Sequence, residues 1–398
     1  MQHISSRETI TLFKINGVFG FALALGEIFL QVFLFTLGGF QAVIKYNLIS
    51  TCFIVVFAFF AGWLLTRTTS KNLLLMGLSG YIALFLLLFL FRENSLSLLV
   101  FLGMLHGMAT GLFWAAMNLL QYVYTTDETR YRFFGTQSFL FSVTGGIAPI
   151  IGGIIISLSG ALISKEAGYA TLFFCIALLM SILFWEVKKI SEQKHIQFSF
   201  CDMTRHRRSR VWNLVLINEF FYGLFDFLLM AFIPIFIFII VKEEFVLGVL
   251  NAAAAVAASC AALFARFILT KKSTSFILTS FLSAFGLLMF SYQQNWWGIA
   301  ALIIFYYATM PILNVAASKI IFKIIDSSSE HSWQYKYHFF LEREIMLNIG
   351  RIVSFFILIL FIEDIKQFNI SHLIIGTLAV LPLCIGFILY RMRYIINS

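Results

Sequence analysis

The chain has 398 residues, 61% hydrophobic and only 12% charged, with a mean hydropathy of +0.93. A soluble domain carries about 25% charged residues, so this composition excludes one and points to an integral membrane protein. The net charge of +9 reflects where basic loops face rather than nucleic-acid binding, and no alternating ten-residue pattern supports a β-barrel.

Twelve apolar stretches are long enough to cross a bilayer as helices: 11–37, 42–66, 72–91, 97–123, 133–158, 168–187, 212–241, 245–269, 274–292, 297–323, 341–362 and 371–391. The first runs too long for a cleavable signal peptide, carries Glu27 and lacks a small-residue cleavage site, so it reads as a span. Numbering the loops alternately puts Arg67, Lys71, Arg130, Arg132, the 188–211 stretch, Lys272 and Arg391 on the side of both termini. Only Lys45, Arg92, Lys165, Lys242 and Lys366 fall on the other. The positive-inside rule then places both termini in the cytoplasm of a multi-pass cytoplasmic-membrane protein. Six spans precede the basic stretch and six follow it. The expected fold is all-α, with a bundle over 1–187, a basic cytoplasmic linker over 188–211 and a second bundle over 212–398. The basic run Arg205-His206-Arg207-Arg208-Ser209-Arg210 reads as the charge signal of a long inner loop, or as a lipid-contact site. Cys52, Cys175, Cys201, Cys260 and Cys384 form no CxxC pair and read as reduced and structural.

Motifs follow in chain order. Residues Gly62-Trp63-Leu64-Leu65-Thr66-Arg67-Thr68-Thr69-Ser70-Lys71 close the second span. Gly103, Gly107 and Gly111 form a small-residue stripe in the fourth, suited to close helix contact. The fifth holds Thr144-Gly145-Gly146-Ile147-Ala148-Pro149-Ile150-Ile151-Gly152-Gly153, where glycines permit contact and Pro149 permits a kink. Segment 326–340 is polar, then aromatic, and reads as a connection with a short interfacial helix; its His331 and His338 read as loop histidines, since no ligand cluster completes a metal site. The eleventh span carries Glu344, Asn348 and Arg351 at i, i+4 and i+7, on one helix stripe. A charge at that depth costs about 2.5–3.5 kcal/mol on insertion scales, so Arg351 requires a partner or a water-filled cavity.

The layout and three of these patterns resemble the major facilitator superfamily of secondary transporters. Gly62, Leu64, Arg67 and Lys71 match its cytoplasmic loop motif, with Thr66 in place of the usual Asp and Thr69 in place of a Gly. In the family this loop ties the two bundles in one conformation. The Pro149, Gly152 and Gly153 stretch is similar to a Gly-Pro-x-x-Gly-Gly pattern associated with antiporters, with Ala148 in place of one Gly. In the fourth span Gly103 occupies the position of a buried family Arg, which removes the relay cation of many drug/proton antiporters. The resemblance implies two six-helix bundles around a central site, alternating access, protons as coupling ion and a monomer.

The candidate substrate- and proton-coupling residues are Glu27, His106, Glu219, Asp226, Asn348 and Arg351. Glu219 and Asp226 lie i, i+7 on the seventh span, and Asp226 and Arg351 are expected at similar depth, interacting directly or through water. The bland alternatives are a structural hydrogen bond for Glu27, snorkelling for Glu219, packing for His106, and an Arg351–Glu344 pair. Few charges and many aromatics suit a small hydrophobic, amphipathic or cationic molecule better than a sugar phosphate. The leading function is proton-coupled efflux. Uptake by symport is the alternative, with a transporter-like receptor or a polytopic membrane enzyme behind it. The chain has no HxxxD, HExxH, Asp-rich or Walker loop, so an enzyme, a cofactor and a metal are not expected. The expected partners are the substrate, protons and membrane lipid.

Overall fold

A computed structural model of the chain describes residues 6–125, 127–191, 208–271, 275–327, 337–360 and 368–397, and these form helices without a strand. The first helix, α1 (Ser6–Leu65), is two helices joined at Gly38 (φ −140°, ψ 17°) and Gly39 (φ 62°, ψ −164°). The Gly39 conformation lies in the region that side chains disfavour, so glycine turns the chain there. The arms fold back on each other: Asn47 Nδ2 donates to Gln31 Oε1 at 2.8 Å, and Gln31 Nε2 returns a bond to Asn47 Oδ1 at 3.3 Å. There follow α2 (Ser70–Phe91), α3 (Leu99–Val123), α4 (Asp127–Leu162) and α5 (Lys165–Lys188). The second half contains α6 (Arg210–Val241), α7 (Glu244–Lys271), α8 (Ser275–Tyr292), α9 (Trp296–Ala301), α10 (Met310–Ser327), α11 (Tyr337–Leu360), α12 (Phe368–Leu378) and α13 (Leu381–Asn397). Thr69 and Ser209 cap α2 and α6 by accepting from the Asn72 and Trp212 amides.

Among the described residues, ten helical segments are long and apolar enough to cross a membrane. The first of these is the folded α1, which supplies two arms. The segment α11 is not among the ten because every eighteen-residue stretch of it carries more than two charges, from Glu342, Arg343, Glu344 and Arg351. Counting both arms and α11 gives the twelve of the sequence reading. Three details differ from it. The expected 297–323 span is interrupted by a π-helical turn at Leu302–Tyr307 before α10. The expected 371–391 span breaks between α12 and α13. Pro311 and Pro382 begin the downstream pieces and lack the N–H that the Tyr307 and Leu378 carbonyls would accept. Third, α11 starts at Tyr337, so His338 lies in a helix rather than a loop; His331, Cys201 and most of the 188–211 linker lie outside the described residues.

Helices α1–α5 pack together and α6–α13 pack together, and the halves meet along α4 against α7 and along α1 against α11 and α6. The α4–α7 seam is built from small residues. A Cβ on Gly248 would lie 2.3 Å from the Pro149 carbonyl, and one on Gly153 would lie 2.8 Å from that of Glu244. Gly145 and Gly146 face Ala255 in the same seam. At the end of the molecule that bears Arg67 and Lys71, the basic end, Tyr337 of α11 donates to the Ala58 carbonyl at 3.2 Å, and Tyr122 meets Phe340 at 5.7 Å between ring centroids. At the opposite end Phe40 stacks on Phe232 at 5.5 Å, and Tyr169 donates to Glu244 Oε1 at 3.2 Å.

Within the second half, Glu342 is 3% exposed and ties the start of α11 to the start of α6. It accepts from the Trp212 indole at 2.6 Å and faces Arg208 at 3.3 Å. Replacing Glu342 with Ala leaves a buried indole N–H without an acceptor. The expected cost is about 1–3 kcal/mol, seen as a lower melting temperature in detergent; an unchanged melting temperature contradicts this role.

Candidate functional site

A cavity of about 470 Å³ lies between the halves. Its walls come from both arms of α1 (Leu23, Glu27, Ser50, Ile54), from α2 and α3 (Tyr81, His106, Trp114, Asn118), from α4 (Phe141) and from α11 (Phe340, Glu344, Leu347, Arg351). The volume and the mainly apolar lining, interrupted by a few polar groups, are those of a small-molecule site.

Arg351 is held by one contact from α6 and one from α11. Its Nη2 donates to Asp226 Oδ2 at 2.8 Å and its Nη1 to Asn348 Oδ1 at 3.2 Å. Asn348 is fully buried and donates its own amide to the Glu344 carbonyl one turn away at 2.8 Å. The helices can approach this closely because glycines face backbone at the crossing. A Cβ on Gly223 would sit 1.9 Å from the Leu347 carbonyl, and one on Gly350 would sit 2.3 Å from that of Phe220. Ser354 adds a bond to the Leu224 carbonyl at 2.7 Å. The side chains of Arg351 and Asp226 are 15% and 17% exposed, and of the two Arg351 lines the hollow.

The other candidates are distributed unevenly. Glu27 lines the cavity within electrostatic reach of Asp226 and Arg351. His106 also lines it and shares a 3.0 Å hydrogen bond with the Tyr46 hydroxyl. Glu219 is buried outside the lining and pairs with Arg343 at 3.1 Å, one level nearer the basic end. The carboxylate facing Arg351 is thus Asp226, not Glu344. Gly62, Arg67 and Lys71 lie at the basic end, beyond Ala58 of the cavity wall and outside the lining, and the Arg67 guanidinium stacks over Trp63 at 4.3 Å. Pro149 and Gly153 belong to the α4–α7 seam, and Gly152 faces Phe29 of α1.

The sequence reading did not single out Ser50, Tyr81 or Tyr337, and it named Glu344 as part of the α11 stripe and as an alternative partner of Arg351, not as a cavity-wall acid. Position on that stripe was the available signal for Glu344. Ser50 is placed by α3, where Gly107 would put a Cβ 2.2 Å from the Ser50 carbonyl. The Gly103–Gly107–Gly111 stripe therefore seats the second arm of α1 against α3.

An all-helical polytopic arrangement with a mainly apolar hollow between two helical halves is that of a membrane transporter. The chain belongs to the Major Facilitator Superfamily, whose family model matches residues 11–326. It is a multi-pass membrane protein of a family of secondary transporters rather than enzymes. The uncharacterized protein YqgE of Bacillus subtilis (strain 168) is 26% identical over 365 residues, covering 89% of this chain and 83% of the relative. An uncharacterized protein in the sodM 3′ region of Geobacillus stearothermophilus is 31% identical over 178 residues, covering 44% of this chain and 81% of the relative. Among solved structures, FucP in the outward conformation superposes with a TM-score of 0.67 at 14% identity, over 97% of this chain and 98% of that one. A structure of the E. coli fucose:proton symporter, FucP, gives 0.63 at 13% identity, over 96% and 98% of the two chains. The human organic anion transporter MFSD10 gives 0.68 at 11% identity, over 96% and 99%. At these identities the structural likeness concerns the fold.

Proposed function

We propose that this secondary transporter exports a small amphipathic or hydrophobic molecule across the cytoplasmic membrane in exchange for protons. Residues 1–187 and 212–398 act as the two moving units, joined by the basic 188–211 linker, with both termini cytoplasmic and the protein working as a monomer. The observation that carries the reading is Arg351, which lines the cavity and is paired with Asp226 of α6 at 2.8 Å. An ion pair in a poorly solvated place depends strongly on charge state. Protonation of Asp226 removes its half of the attraction and releases the Arg351 guanidinium toward Glu27 of the first half, which lines the same cavity. Release changes the relative stability of the inward- and outward-facing arrangements, which is what coupling requires. Uptake by symport uses the same pair with the opposite vector, and the one observation in its favour is the fold shared with a fucose:proton symporter.

The test is flux in proteoliposomes with an imposed pH gradient and a panel of cationic, neutral and anionic amphipathic dyes. At least one dye is expected to move against its own gradient only while the proton gradient lasts, and Asp226→Asn is expected to flatten the pH dependence. Equilibration alone, or an unchanged pH profile in Asp226→Asn, removes the proton role. The sign of the driving gradient separates efflux from uptake.

A further inference from the structure

The charges on the cavity wall are unequally matched. The Arg351 guanidinium is already faced by Asp226 at 2.8 Å. Glu27 and Glu344 also line the wall, and among the described residues neither carboxylate takes part in an ion pair. Independently of the two acids, Ser50 is fully buried on the same wall, and its hydroxyl has no hydrogen-bond partner there. The remaining surface is mainly apolar or aromatic, with Tyr81, Trp114 and Phe141 presenting rings and His106, Thr110 and Asn118 adding polar groups without a formal negative charge. Glu344 lies seven residues before Arg351, about 10 Å nearer the basic end along the helix. Glu27, by contrast, feels the charges of Asp226 and Arg351. The acids therefore stand at two levels.

The geometry points to an amphipathic organic cation as the substrate class, its charged head held at Glu27 and its apolar body against Trp114 and Phe141. Ser50 supplies an acceptor when the head carries an N–H, and Glu344 attracts the cation on its way from the basic end. Aromatic faces favour a cation and gain more when water is excluded. A monoanion entering the same space meets two carboxylates and finds the one guanidinium already faced by Asp226. The inference rests on the reading of this cavity as the transport site.

The experiment is equilibrium dialysis of the full chain in detergent with tetraphenylphosphonium and with tetraphenylborate, ions of similar shape and opposite charge. The phosphonium is expected to bind and the borate not. Glu27→Gln is expected to weaken phosphonium binding about ten- to hundredfold, the order of one charge pair in a poorly solvated site, and Glu344→Gln to weaken it less. Equal binding, preference for the borate, binding of neither ion, or an unchanged phosphonium affinity in Glu27→Gln overturns the assignment. If Glu27→Gln does not fold, the ratio between the two ions in the unaltered protein decides. Proton-driven flux of a neutral or anionic dye alongside such a failure leaves the transporter reading standing and removes only the cation.

Discussion

Arg351→Ala is expected to abolish transport and to destabilise the protein by about 3–5 kcal/mol, the usual cost of removing one partner of a buried pair. The reason lies in what remains. Asp226 keeps its carboxylate on α6, 17% exposed, with its cation gone and Asn348 unable to supply a charge. Arg351→Lys keeps the charge but loses the fork that reaches Asp226 and Asn348 together, so partial stability without full transport is expected. The double variant Asp226→Asn, Arg351→Gln removes both charges and with them the uncompensated one. Its melting temperature should recover most of the loss while its transport does not. A single Arg351→Ala variant that melts and transports like the unaltered protein shows that the pair matters to neither. A double variant that transports normally shows that it is structural.

The second large effect is expected at the glycine crossing of α6 and α11. Gly223→Val puts a branched side chain where even one Cβ lies 1.9 Å from the Leu347 carbonyl, and Gly350→Val does the same against Phe220 at 2.3 Å. The opposing atoms are backbone, so no rotamer change relieves the clash and the helices must part. Overpacking of this kind costs typically about 1–3 kcal/mol and occasionally more. Parting the helices also separates Asp226 from Arg351, because each lies within a turn of its glycine. Loss of stability and loss of pH-dependent flux are therefore expected together in Gly223→Val. Gly17→Val is the control, since a Cβ there meets nothing within 4 Å, and it should leave both unchanged. A Gly223→Val protein with normal melting and normal flux contradicts the crossing as the element that sets the pair.

The spans were legible because a bilayer demands uninterrupted apolar length, and the sequence supplies it in segments whose limits mostly fall within a few residues of the helices. Where limits moved, local chemistry explains it. The aromatic run from Tyr337 to Phe340 is apolar enough to extend α11, whereas the polar residues ahead of it suggested a connection. Pro311 and Pro382 carried a readable break signal within stretches taken as continuous. Arg351 and Asp226 could be placed opposite each other because a charge inside an apolar helix restricts the partners available. Glu219 was legible as a buried acid, but its partner Arg343 was not, since a basic residue near a helix end also reads as interfacial. The glycine crossing and the orphan hydroxyl of Ser50 were not legible at all. Each depends on which backbone stands opposite, and a single sequence contains no pairing of one helix face with another.

The central claim is that the hollow lined by Glu27, Arg351 and Asn118 is reached from one side of the membrane and then from the other. Asn118→Cys, in a background lacking the five native cysteines, measures this directly when membrane-impermeant thiol reagents are applied separately to each face of sealed vesicles. The account predicts labelling from both faces, with rates that change in opposite directions when the pH gradient is inverted. Labelling from one face only, at a rate indifferent to the gradient, would contradict it.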